Sequence, residues 1–76
     1  MQYNFIGKRR VDYVSKKTGK QVLGWNLFVT REDQQTEGLL AEQLYVPDTF
    51  RISVPVGSTV EVYFNRYGGV DSFTAV

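Results

Sequence analysis

The residues of this sequence that could do chemistry are cations and aromatic rings. It has no histidine and no cysteine. That removes the commonest general base and metal ligand, the thiolate nucleophile and any disulfide. Glu42, Asp48, Glu61 and Asp71 form no recognisable acid/base pair or metal-binding loop, and read as solvated surface. The serines and threonines have no visible activating partner. A non-enzymatic protein without metal or cofactor is therefore expected. The cations, by contrast, cluster. Lys8, Arg9, Arg10, Lys16, Lys17 and Lys20 lie in the first 25 residues against Asp12 alone, whereas the remainder holds three cations and seven carboxylates, so the net charge is only +1. An asymmetry of this kind suits a polyanion-facing side opposite an acidic one.

The pattern of charge and turn residues locates the cluster. Ser15-Lys16-Lys17-Thr18-Gly19-Lys20 reads as a hairpin turn, with Gly19 supplying a positive φ. Lys16, Lys17 and Lys20 then sit at its tip, with Arg9 and Arg10 on the strand leading to it. Such an arm can reach phosphates and release their counterions. Lys-Lys-Thr-Gly-Lys lacks the spacing of a phosphate-binding loop and opens no helix. Tyr13, Trp25, Tyr63 and Tyr67 supply flat rings of the kind on which bases stack. Trp25 reads as core, because a thin core needs a large ring. Tyr63 shares a face with Glu61 and Asn65 and reads as exposed. Tyr67 sits in a turn beside Arg66, which offers a cation–π contact or a phosphate bond.

The elements that position these side chains are short β segments. Residues 3–7 start a first strand whose continuation, residues 10–14, alternates with a period of two, and Gly7, followed by three cationic residues, suits a bulge or bend. Residues 21–30 form a second strand, with Leu23, Trp25, Leu27 and Val29 on the core face and Val22, Gly24, Asn26 and Phe28 on the other. Residues 31–38 are a polar loop. Residues 39–46 mix helix formers with a strand-like pattern and are read as mainly strand. Residues 47–50 and 56–58 are turns. Residues 59–65 put Val60, Val62 and Phe64 on one face; residues 66–69 turn, and residues 70–75 return. Five strands in 76 residues predict one all-β domain, 1–76, a closed or nearly closed barrel without exposed edges. No stretch is long enough for a membrane span, and the opening residues lack a signal-peptide apolar run, so the expected compartment is the cytoplasm.

In size, in five-strand layout and in the segment Val14-Ser15-Lys16-Lys17-Thr18-Gly19-Lys20-Gln21-Val22, the chain resembles the small OB-type single-stranded-DNA-binding proteins of phages and plasmids, including the helix-destabilising proteins of filamentous phages. In that family an early hairpin with a Ser/Thr, Gly and Lys turn acts as a DNA-binding wing. Exposed tyrosines and a phenylalanine stack bases, and arginines and lysines contact phosphates. Lys16, Lys17, Gly19 and Lys20 match the wing; Tyr13, Tyr63, Tyr67 and Arg66 match in kind. The resemblance implies a small five-stranded OB-like barrel that binds single-stranded nucleic acid, DNA above all, and a homodimer, since members are often dimers. The other expectation is a protein-interaction or assembly module whose basic hairpin docks on an acidic protein partner, head-to-tail self-association included.

Overall fold

β-Branched and aromatic residues recur in five runs, and each run forms a strand. A computed structural model describes residues 1–76. In chain order the strands are β1 (Gln2–Val14), β2 (Gln21–Glu32), β3 (Leu39–Pro47), β4 (Thr59–Phe64) and β5 (Val70–Ala75). All pairings are antiparallel, and the single sheet has the order β3-β2-β1-β4-β5. The all-β reading with five strands holds. Residues 39–46 are strand because their ladder to β2 overrides the helix preference of Leu, Ala, Glu and Gln.

The sheet is barrel-like, as expected, but it does not close. The outer strands β3 and β5 touch, but no hydrogen-bonded ladder joins them. The physical reason is strand length. β4 and β5 have six residues each, and β4 pairs with β1 only from Gln2 to Asn4. That ladder is too short to carry the sheet round to β3, so both edges stay open.

The core forms inside the curl of the sheet from Tyr3, Phe5, Leu27, Val29, Val46, Val54, Val60, Val62 and Phe73. Each such side chain contributes about 1.5–3 kcal/mol by leaving water. Phe5 and Phe73 meet edge to face, with centroids 5.0 Å apart, and tie β1 to β5. Phe64 departs from the expected core face. The β4–β5 register shifts between Tyr63 and Phe64, and Phe64 is 40% exposed. It lines an open groove of about 460 Å³ with Met1, Tyr3, Arg31, Glu42, Gln43 and Leu44.

A bulge in β1 decides which side chains face outward. Phe5 pairs with Val29 and Gly7 with Phe28, which leaves Ile6 as an extra residue. Because side chains alternate strictly along a strand, one extra residue exchanges the two faces. Before the bulge, the odd residues Tyr3 and Phe5 enter the core. After it, Lys8 and Arg10 take the inner face, and Arg9, Val11 and Tyr13 take the outer face, where Val11 is buried.

Tyr3 carries a pH dependence. Burial, and secondarily the neighbouring Glu42, push its phenol above the ordinary value of 10.0. The fold therefore favours the neutral phenol. Its contribution to stability is complete below pH 10 and is lost as pH rises through the folded value. Tyr3→Phe is expected to flatten the fall in melting temperature as pH rises above 10, and parallel thermal melts of both proteins measure this.

Candidate nucleic-acid interface

The hairpin between β1 and β2 extends beyond the rest of the sheet. The β2–β3 ladder begins at Gly24, so Asp12, Tyr13 and Val14 pair with Leu23, Val22 and Gln21 as a two-stranded ribbon. The tip is ordered by its own backbone. The Ser15 amide donates to the Lys20 carbonyl and the Gly19 amide to the Ser15 carbonyl, both at 2.8 Å, and Gly19 has φ +69°. Lys16, Lys17 and Lys20 are exposed on it. The one carboxylate nearby, Asp12, accepts from the side-chain amide Nε2 of Gln21 at 2.8 Å. The three ion pairs of the structure join Met1 to Glu61, Arg10 to Asp48 and Arg31 to Asp33. Arg9 and the three tip lysines are therefore free to meet an anionic ligand.

The two adjacent arginines have separate surroundings. Arg10 lies on the inner face, pairs with Asp48 of the β3–β4 turn, and stacks over Trp25 at 5.5 Å; Lys8 covers the same ring at 5.0 Å. The hydrogen bond to Asp48 raises the Arg10 pKa further, so the guanidinium keeps its charge at every accessible pH. Trp25 is thus half-buried under two cations, packed against the core's margin and not inside it. Arg9 lies on the outer face, where its guanidinium sits over Phe28 at 5.9 Å.

The outer face of β1, β2 and β3 presents more rings than the sequence analysis assigned. The row Arg9–Asn26–Tyr45 crosses three strands. Phe28 lies one row to one side, and Tyr13 pairs with Val22 nearer the tip. Tyr13 is 57% exposed and Tyr45 44%. The Tyr45 hydroxyl donates to the Leu23 carbonyl at 3.0 Å, which lays the ring over Gly24. A Cβ at Gly24 would fall 2.7 Å from the Tyr45 oxygen and 2.8 Å from its Cζ. Glycine at this position is what allows the ring to lie flat on the sheet. Phe28 and Tyr45 were missed as candidates, although Phe28 shares the non-core face of β2 with Gly24 and Asn26.

Tyr63, Arg66 and Tyr67 belong to a second group. Gln2 pairs with Glu61, so Tyr63 lies past the start of β1, whereas Tyr13 is near its end. The two tyrosines are about 12 positions apart along the strand direction, on the order of 40 Å of extended chain. Asn65 organises the β4–β5 turn by accepting from the amides of Tyr67 at 2.9 Å and Gly69 at 3.0 Å. Arg66 covers the Tyr67 ring at 5.1 Å, and Tyr67 is 82% exposed. The structure thus gathers Arg9, Tyr13, Lys16, Lys17 and Lys20 along the outer face and tip of one hairpin. It places Arg10 on the opposite face, and Tyr63, Arg66 and Tyr67 at the other end of the strands.

Comparisons with protein-family models, with curated proteins and with solved structures give no match to this chain. The largest hollow, about 510 Å³, is an open depression on the β2–β3 loop lined by Glu32, Asp33, Gln34, Gly38 and Leu39. No group of three or more His, Cys, Asp or Glu side chains could hold a metal ion. No helix is long and apolar enough to cross a membrane.

Proposed function

We propose that this protein binds single-stranded nucleic acid, single-stranded DNA of a phage or plasmid above all, in the cytoplasm and without catalysing a reaction. The observation that carries the reading is the continuity of unpaired cations with the exposed rings of Tyr13 and Tyr45 and the half-buried ring of Phe28 on one surface. Lys16, Lys17 and Lys20 at the tip lead to Tyr13, Tyr45, Arg9 and Phe28 on the outer face of β1–β3. Cations along a groove or ridge capture the phosphate backbone, and flat rings beside them stack bases. A partly open five-stranded barrel that uses the face of its second and third strands is the arrangement of OB-type oligonucleotide binders, which supports the same reading.

Titration of a fluorescent oligonucleotide at low salt tests the proposal. Saturable binding to single strands, weaker to duplex, is expected, with log affinity falling linearly in log salt. Absence of binding at high micromolar protein, or equal affinity for duplex and single strand, overturns it. The two arginines sharpen the test. Arg9→Ala is expected to lower affinity about tenfold. Arg10→Ala is expected to change affinity less than threefold while shifting the emission of Trp25, the only tryptophan, to longer wavelength. Equal losses in the two variants would show that the outer face is not the contact surface.

The open edges of β3 and β5 favour a second reading, association of two copies into a homodimer, and the unpaired lysines of the hairpin tip suit docking on an acidic protein partner. Sedimentation with and without oligonucleotide separates the readings. Assembly at low salt without nucleic acid favours association as the primary role.

A further inference from the structure

We infer that Asn26 reads the edge of a nucleobase, so that binding to a single strand discriminates adenine from the other bases. This inference rests on the single-strand reading above and adds a specificity that stacking and phosphate contacts do not supply, since those are tolerant of sequence.

Asn26 occupies the middle of the outer face. Arg9 is its partner on β1 and Tyr45 its partner on β3. Gly24 and Phe28 flank it on its own strand and share its face. The residue is half-buried. Its carboxamide takes part in none of the side-chain hydrogen bonds of the protein. Nor is the amide sealed from solvent, because the one buried side-chain nitrogen or oxygen without a partner is Nε of Arg31. A carboxamide is thus held at the centre of an aromatic surface with its donors and its acceptor both open.

The spacing fits a base edge. Same-face residues on a strand repeat about every 7 Å, so a base stacked on Phe28 or on Tyr45 turns its edge toward the space between them, where Asn26 stands. Asparagine offers one acceptor oxygen and two donor hydrogens. It matches adenine in particular, pairing its donor with N7 and its acceptor with the N6 amino group. The charge around it suits the same occupant. Arg9 and the tip lysines, all without carboxylate partners, hold the phosphates of the strand whose bases lie on the rings.

The test compares base preference in the wild type and two variants by fluorescence anisotropy. The probes are labelled homopolymers of deoxyadenosine, deoxycytidine and thymidine of about 12 nucleotides, within the usual site size of one such domain. The readout is the ratio of affinities among the three. Comparing that ratio between proteins cancels the intrinsic stacking differences of the homopolymers. Relative to Asn26→Ala, the wild type is expected to favour deoxyadenosine over thymidine by about fivefold or more. Asn26→Asp keeps only acceptors, and is expected to move the preference toward deoxycytidine, whose N4 amino group donates. Identical ratios in the wild type and both variants, with binding intact, overturn the inference and leave the single-strand reading standing. Failure of every homopolymer to bind the wild type overturns that reading and this one together. A preference that disappears in Asn26→Ala and is redirected in Asn26→Asp establishes the role, since a merely structural residue would lower all three affinities alike.

Discussion

Lys16→Glu combined with Lys20→Glu is expected to abolish most of the affinity for a single-stranded oligonucleotide and to leave the fold intact. The magnitude follows from counterion release. Each phosphate contact on a single strand adds about 0.7 to the slope of log affinity against log salt, so two lost contacts lower the slope by roughly 1.4 and the affinity at 50 mM salt by about 50-fold. Reversal of sign adds repulsion to that loss. Both lysines are exposed and neither forms an ion pair, so the substitutions break no contact that holds the hairpin. The turn is set by backbone bonds between Ser15, Gly19 and Lys20, and by the positive φ of Gly19. Far-ultraviolet circular dichroism and the thermal midpoint of the double variant should match the wild type. The salt titration then checks the slope. An unchanged slope would mean that the tip does not meet phosphates, and a lowered midpoint would mean that the lysines serve the fold.

The β1–β2 hairpin turn was readable in the sequence because its determinants are local. A turn needs a residue of positive φ at a fixed place, and Gly19 in a run of polar and cationic residues provides it. The face of the sheet was less readable. Gly7 marked an interruption of β1, but the consequence of the bulge depends on where the ladder to β2 resumes, which is a property of pairing between residues more than 20 apart. Without that register, Arg9 and Arg10 look equivalent. With it, one lies over Phe28 on the outer face and the other is held by Asp48 against Trp25. Trp25 illustrates the same limit. Its period places it on the core face of β2, but the core ends before its row, and Lys8 and Arg10 cover the ring where apolar neighbours were expected. Phe28 and Tyr45 were unassigned because a ring is reserved for the surface only when its neighbours leave it nothing to pack into. The open seam between β3 and β5 was likewise beyond periodicity, which sets faces but not how far a ladder extends.

Gly24→Ala carries the second large effect, and it acts on the platform through packing. Gly24 is buried in the β2 row that faces Val11 on one side and Pro47 on the other. An added methyl group would press on the Tyr45 ring and, more closely still, on the Val46 carbonyl oxygen. The first neighbour is a side chain that can swing away; the second is backbone in a ladder and cannot move without loosening β3. Overpacking of this kind costs about 1–3 kcal/mol, which in a domain of this size lowers the melting temperature by about 4–8 °C per kcal/mol. The substitution is also expected to break the 3.0 Å bond from the Tyr45 hydroxyl to the Leu23 carbonyl and tilt the ring off the sheet. A double-mutant cycle with Tyr45→Ala separates the two contacts. The ring part of the penalty vanishes when the ring is absent, whereas the part due to the Val46 carbonyl remains. If Gly24→Ala is fully additive with Tyr45→Ala, the ring does not rest on Gly24. If the cycle shows coupling and oligonucleotide affinity falls in Gly24→Ala at temperatures where the protein is still folded, the glycine is present to hold a stacking surface flat.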